Sequence, residues 1–430
     1  MSPALARTFS SLKVPNYRKY FTGQLASITG NWMQTVGEMW LMVKLTGSGS
    51  LVGLTAGLQF LPILLFGAWG GLLADRLPKR RVLTYTQLSL AVPALTLFVL
   101  AASGAAQPWM VLALVLVRGA VLAIDNPSRQ SFVVEIVGPD RVVNAVALNS
   151  VVVHSSRILG PALAGGVIAL IGIAPCFLVN AFSFLAMFIA LRTMNPHELQ
   201  TPKPAVRKPG EVKKALRYVR GTPELLIPLL MMALVGTISF NFQVLLPLLA
   251  DFTWHGTATT YALLTASMGI GSVAGALAAG SRGRVSPKLL IGSSLLFGFA
   301  MLLAAAAPTL ELQILALVPL GAASVTFAAG VNSSLQIAVE PQMRGRVMAL
   351  YSVVFLGSTP IGAPLVGGLA GAAGPRAGLL AGAVAAVIAG LAAWVWFAKA
   401  GDVEPVRVRS HGGRIRAPKR LVAYARDRVS

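Results

Sequence analysis

Long apolar runs alternate with short polar breaks along nearly the whole chain of 430 residues. Roughly twenty apolar residues, coiled as an α-helix, match the thickness of a bilayer's hydrocarbon core. On that measure the pattern predicts twelve spans, near residues 20–45, 51–74, 82–103, 108–128, 145–171, 174–194, 224–250, 259–280, 287–307, 311–332, 347–371 and 376–398. No strand-like alternation recurs. Helices rather than a barrel therefore satisfy the backbone in lipid. An even number of crossings puts both ends of the chain on one side.

The longest polar stretch between spans separates six from six. It divides the chain into an N-terminal segment 1–19, a bundle 20–194, a linker 195–223, a second bundle 224–398 and a basic tail 399–430. Within the linker, Val212–Arg220 suits a short basic helix on the membrane surface, where anionic lipid heads would attract it. The two halves echo each other. Displaced by 202 positions, Gly160, Leu163, Gly165 and Gly166 of the fifth span meet Gly362, Leu365, Gly367 and Gly368 of the eleventh. Gly119 of the fourth span meets Gly321 of the tenth in the same way.

Composition sharpens this picture. Only 12% of residues are charged, about half the share usual in soluble domains. A soluble fold could not hide this much apolar surface, so the excess faces lipid. The chain therefore reads as an all-α membrane protein whose bilayer is its permanent partner. The net charge of +22 does not point to nucleic acid, because the basic residues lie in alternate connections. They gather in the N-terminal segment, around Arg76–Arg81, in 192–220, at Arg282, Arg284 and Lys288, at Arg344 and Arg346, and in the tail. The intervening connections are almost free of them, Lys44 and Arg376 excepted. That is the positive-inside pattern, and it predicts cytoplasmic termini. The single Cys176 excludes an intrachain disulfide, and the four histidines form no ligand cluster. No metal site and no cofactor are expected. Neither a phosphate-binding glycine loop nor a nucleophile–base–acid constellation is present, so neither an ATP-driven pump nor an enzyme is expected.

Ionisable groups inside spans are costly and often functional. Glu38 lies in the first span, and Ser27, Asn31, Gln34 and Glu38 are spaced so that they share one helical face. Such a stripe is expected to face a cavity rather than lipid. Asn31, Gln34 and Glu38 are thus candidates to line a substrate cavity. Glu38 is either a proton-carrying carboxylate or the fixed partner of an arginine. Arg118 in the fourth span and Arg157 in the fifth are the in-span bases that could neutralise Glu38 or attract an anionic substrate. His154 stands one turn before Arg157. Asp125 shares the face of Arg118 but is expected near the cytoplasmic end. In the seventh span Thr237, Ser239, Asn241 and Gln243 alternate by two before Pro247. They either line an unwound, cavity-facing segment, which makes Asn241 and Gln243 cavity candidates, or bond to neighbouring helices.

Three motifs carry a resemblance. Between the second and third spans runs Gly71-Leu72-Leu73-Ala74-Asp75-Arg76-Leu77-Pro78-Lys79-Arg80-Arg81. It resembles the helix 2–3 loop of the major facilitator superfamily, G-x-L-[AD]-D-R-x-G-R-[RK], with Pro78 where that pattern has its second glycine. In the fifth span, Gly160-Pro161-x-x-x-Gly165-Gly166 resembles the helix 5 motif of the superfamily's proton-coupled antiporters. The segments 125–132, 144–150 and 343–352 narrow the likeness to the drug- and siderophore-exporting branch, of the enterobactin-exporter and macrolide-efflux type.

The resemblance implies twelve transmembrane helices in two pseudo-symmetric six-helix bundles. It implies a bacterial inner-membrane secondary transporter that exports a drug-like amphiphile or siderophore by alternating access in exchange for protons. It also implies a gating latch at Gly71, Leu73, Asp75, Arg76, Lys79 and Arg80, with basic residues pairing with acids of helix 4. Asp125 is expected to pair there with Arg76 or Arg80. Topology anchoring alone would account for Lys79–Arg81. A monomer is expected. Metabolite uptake or uniport on the same fold is the alternative, and a receptor or a membrane-embedded enzyme stands further off.

Overall fold

The computed structural model describes residues 10–200, 211–281 and 286–399. The linker stretch 201–210, the Arg282 and Arg284 connection and the basic tail lie outside them, as do the side chains of Asp75 and His154. The long helices are α1 (Pro15–Thr46), α2 (Gly49–Arg76), α3 (Lys79–Ala102), α4 (Pro108–Val137), α5 (Val142–Ile171) and α6 (Ala174–Arg192). After a short surface helix, Glu211–Arg220, come α7 (α7a Pro223–Ile238, α7b Phe242–Leu248), α8 (Ala258–Ser281) and α9 (Pro287–Ala306). The last three are α10 (Leu310–Ala338), α11 (Arg344–Ala373) and α12 (Pro375–Lys399).

Among the described residues, eleven spans are long and apolar enough to cross a membrane. The twelfth is α1, at 32 residues as long as any of them. Its polar residues lower its hydropathy because they are turned into the protein, not toward lipid. Lipid-facing apolar side chains cover the outside of the bundle, for example Trp69, Tyr85, Leu170 and Leu277. The surface helix buries Ala215 and Val219 against the membrane domain. Its Tyr218 hydroxyl accepts from the backbone N–H of Glu340.

Glycine positions the helices, and it does so twice over. A Cβ on Gly119 of α4 would strike the carbonyl of Gln59 on α2, and one on Gly321 of α10 would strike the carbonyl of Met268 on α8. Likewise Gly160 of α5 lies against Thr29 of α1, and Gly362 of α11 against Thr237 of α7a. These pairs lie within one half of the molecule. The next glycine of each motif crosses to the other half: Gly165 packs on Ala262 of α8, and Gly367 packs on Gly49 and Gly53 of α2. The two spatial roles repeat with the same offset as the sequence echo, which is the signature of a parallel six-helix repeat. Small residues permit such backbone-to-backbone approach in lipid, where van der Waals packing holds helices together.

Two helices depart from the pattern predicted for them. The fourth runs on through Pro127 to Val137 instead of stopping near residue 128. Proline does not end a helix here because in lipid the surrounding protein continues to favour backbone closure. The seventh is broken between Ile238 and Phe242, then widens into a π-turn at Leu249–Thr253. At the break the Ser239 hydroxyl donates to the carbonyl of Gly382 on α12, 2.7 Å away. The Asn241 amide donates back to the carbonyl of Thr237 at 2.7 Å. Side chains thus take over the bonds that the backbone gives up.

Candidate functional site

A cavity of about 940 Å³ opens between the two halves. Its wall includes Trp32 and Thr35 of α1, Arg157 of α5, Asn241 and Gln243 of the broken α7, and Asn332 of α10. It continues to Ser150, Ala279, Leu289 and Tyr351, all near the helix ends that carry the basic residues. At the opposite end the halves meet. Gly49 and Gly53 of α2 abut Gly367 and Gly371 of α11. Trp40 stacks on Tyr261 at 6.3 Å. Lys44 of α1 pairs with Asp251 after α7b at 2.5 Å and also lies over the Trp40 ring. The cavity is therefore sealed at that end and reaches toward the basic one. Arg376, the other basic residue on the nearly uncharged side, caps the carbonyl of Ala307 at 2.6 Å and lies over Trp254.

The polar stripe of α1 does not face this cavity. Glu38 and Arg118 form an ion pair at 2.5 Å with both side chains 0% exposed. Gln34 donates to the second oxygen of Glu38 at 2.7 Å, and Asn180 of α6 donates to Gln34 at 2.5 Å. Arg118 also donates to Asn31 at 3.0 Å and to Thr35. Asn31, Gln34 and Glu38, expected as cavity lining, are thus turned into the first bundle against α4 and α6. The physical reason is that an inner helix of a bundle has two protein-facing sides. A spacing of four, three and four fixes a common face but not which neighbour it meets. The cavity side of α1 is a different strip, Trp32, Thr35 and Val36. Thr35 joins the two environments, since it lines the cavity and touches Arg118.

Asp125 is not the latch acid. It accepts from Thr86 at 2.6 Å and from Gln87 at 2.8 Å, and it pairs with Arg129 one turn further along α4. Arg129 in turn reaches Ser27 at 3.0 Å and Gln87 at 2.9 Å. Because α4 continues to Val137, Asp125 stands about 18 Å from its end at 1.5 Å per residue, well inside the span. The acid that meets the basic loop is Glu135, paired with Lys79 at 2.5 Å with both largely buried. Arg80 donates instead to the last carbonyls of α6, those of Leu191 at 2.7 Å and Arg192 at 2.9 Å. Arg76 and Leu73 are exposed, and Gly71 is half-buried. Every contact described for the loop stays within the first half.

Sequence reading missed three residues. Arg129 follows Asp125 by four, a spacing that pairs opposite charges on a helix, and could have been found. Glu135 was hidden by ending the helix at 128. Asn180 left no signal, being one asparagine in an apolar run.

In the fifth helix Gly160 and Gly165 are contact glycines, Pro161 lines the cavity, and a Cβ on Gly166 would meet nothing. Asn241 and Gln243 do reach the cavity, and each keeps a buried side-chain oxygen without a protein partner. No group of metal-ligating side chains occurs among the described residues.

Residues 6–418 match the profile of the transmembrane secretion effector family. The chain is 26% identical over 297 residues to the staphyloferrin A transporter of Staphylococcus aureus, covering 66% of this chain and 72% of that one. It is 26% identical over 341 residues to the enterobactin exporter EntS of Citrobacter koseri, covering 77% and 76%. Among solved structures, a bacterial homologue of the human lysosomal transporter Spinster, inward-facing and unoccupied, superposes with a TM-score of 0.72 at 17% identity. That superposition covers 92% of this chain and 97% of the other.

Proposed function

Because the chain belongs to the transmembrane secretion effector family of major facilitator transporters, we propose that it exports a small organic molecule by alternating access, driven by protons moving the other way. It is a multi-pass membrane transporter and not an enzyme. The positive-inside pattern supports an inner-membrane orientation with the basic helix ends and both termini in the cytoplasm. The cavity then opens inward, in the state that loads cytoplasmic cargo. A siderophore or drug-like amphiphile is the cargo class, a reading supported by the similarity to a staphyloferrin A transporter and an enterobactin exporter. The transporter acts as a monomer, with residues 20–194 and 224–398 as the two rocking halves joined by the linker.

One observation carries the proton reading: a fully buried carboxylate–guanidinium pair one side chain away from the cavity. With Glu38 ionised, Arg118 is neutralised at 2.5 Å. A proton on Glu38 removes that compensation and leaves the guanidinium charge to Asn31 and Thr35. Thr35 belongs to the cavity wall. Protonation therefore changes the charge balance beside the cargo, which gives each protonation state a different preference for the two conformations. Without such a difference, no proton gradient could drive the cycle. The loop around Lys79 and Arg80 braces the first half and re-engages the second when the cytoplasmic end closes.

The test uses everted membrane vesicles, in which export appears as uptake. Compounds retained by cells lacking the transporter supply the substrate. Wild-type uptake should follow an imposed pH gradient and stop when the gradient collapses. Glu38→Gln should retain counterflow exchange but lose gradient-driven uptake. Intact gradient-driven uptake by Glu38→Gln would defeat the coupling role, and substrate loss from everted vesicles would indicate import instead.

A further inference from the structure

Among the described residues the cavity wall holds one charged side chain, Arg157. It is exposed to the cavity and rests over the Trp32 ring, 5.4 Å from the ring centroid. Among the described residues no carboxylate pairs with it. Three acids of the first half are already engaged: Glu38 by Arg118, Asp125 by Arg129 and Glu135 by Lys79. Asp251, in the second half, is held by Lys44 at the sealed end. The cavity thus carries an uncompensated positive charge within a low-dielectric surround. There a guanidinium attracts an anion far more strongly than it would in bulk water.

The facing wall has a different chemistry. Phe240, Phe355 and Tyr351 present aromatic surface, with Tyr351 and Phe355 stacked at 5.9 Å and 4°. The unpartnered oxygens of Asn241 and Gln243 lie on the same half. A buried acceptor without a donor is costly. Both residues line the cavity, so turning either amide toward it would let a hydroxyl or amide N–H of the cargo relieve that cost.

We propose that the cargo is an amphipathic organic anion. Its carboxylate, or a comparable acidic group, docks on Arg157, its apolar or aromatic body lies against Phe240 and Phe355, and a donor group meets Asn241 and Gln243. This rests on the reading of the cavity as the cargo site and names the class of cargo. Arg157 is kept from a fixed carboxylate so that cargo can supply one. Trp32 holds the guanidinium in place by cation–π attraction without neutralising it. There is a consequence for energetics. Export of a monoanion against one proton carries two net charges, so the membrane potential drives the cycle along with the pH gradient.

Equilibrium binding to the purified full-length protein tests the assignment with no gradient present. The probes are 2-naphthoate, its uncharged methyl ester and the cationic 2-naphthylmethylammonium. Wild type should bind naphthoate more tightly than the ester by roughly ten- to a hundredfold, as expected for a charge-assisted hydrogen bond, and should bind the cation worst. Arg157→Gln should bring naphthoate down to the level of the ester, and measurable ester binding by that variant shows that the cavity is still folded. Arg157→Lys should keep part of the preference. Equal binding of naphthoate and ester by wild type, or a preference that survives Arg157→Gln, overturns the proposal. Vesicle transport fails or succeeds separately. Export without anion preference would sink the cargo class alone, and anion preference without export would sink the transport reading alone.

Discussion

Replacing Gly53 by alanine tests how the end opposite the basic one is sealed. A Cβ there would lie 3.0 Å from the carbonyl carbon of Ala363 and 3.1 Å from the Cα of Gly367, and closer still to the Ala363 oxygen. Carbon atoms in ordinary contact stand about 3.5–4.0 Å apart. α2 and α11 must therefore separate by roughly half an ångström or more, because these neighbours are all backbone atoms that cannot turn aside. Overpacking of this kind costs typically about 1–3 kcal/mol. Separation of the two halves at this end relieves it, so the cost falls on the state open at the basic end. The ratio of that state to its alternate should fall by about 5- to 150-fold. Thiol labelling reads this ratio cleanly, since the one native cysteine, Cys176, is buried. In a Ser333→Cys reporter, whose site lines the cavity near the basic end, Gly53→Ala should slow labelling by an impermeant maleimide in everted vesicles. In an Ala258→Cys reporter, buried at the sealed end, it should speed labelling in intact cells. Gly166→Ala, whose Cβ meets nothing within 4 Å, should change neither. Unchanged rates for Gly53→Ala in both reporters would refute the claim that this glycine contact is the seal.

Burial should decide the cost of breaking ion pairs that have the same 2.5 Å separation. Lys79→Met strands Glu135 in a buried site and should destabilise by about 3–5 kcal/mol. Lys44→Met, at a pair half open to solvent on the lysine side, should cost no more than about 1 kcal/mol. Thermal unfolding of the purified protein in detergent compares them, and equal losses would contradict the ranking. Glu38→Leu should also cost about 3–5 kcal/mol by orphaning Arg118, whereas Glu38→Leu with Arg118→Leu should recover most of that stability without recovering export. A double variant as unstable as the single one would show that the pair holds the bundle by more than its charges. Reporter fusions at Gly104 and at Ser430 should place the first outside and the second in the cytoplasm, and the reverse result would invert the assigned direction of the cavity.

Much of the fold was legible because lipid imposes it. The count of spans, their pairing into halves and the repeat follow from run length, charge distribution and glycine spacing, each of which acts within a single segment or its duplicate. The reading slipped where neighbours decide. The apolar run gives out near residue 128, so the span expected from it lacked the last turns of α4 and Glu135 with them. The loop bases were then assigned to Asp125, an acid that Arg129 already holds. Arg157 and Arg118 looked alike in the sequence, as bases in the middle of spans. One proves fully buried against Glu38, and the other is open to the cavity over Trp32.

The sequence alone determined that this chain crosses a membrane, that it does so as helices in two related sets, and that its first half holds the in-span acids. Those properties rest on transfer free energy and on local spacing, which each residue carries with it. Only the tertiary structure decided which face of α1 meets α4 and which meets the cavity, which base is neutralised and which is free, and which end is shut. Those depend on how twelve similar cylinders are rotated against one another, and helical periodicity fixes a stripe without fixing its neighbour.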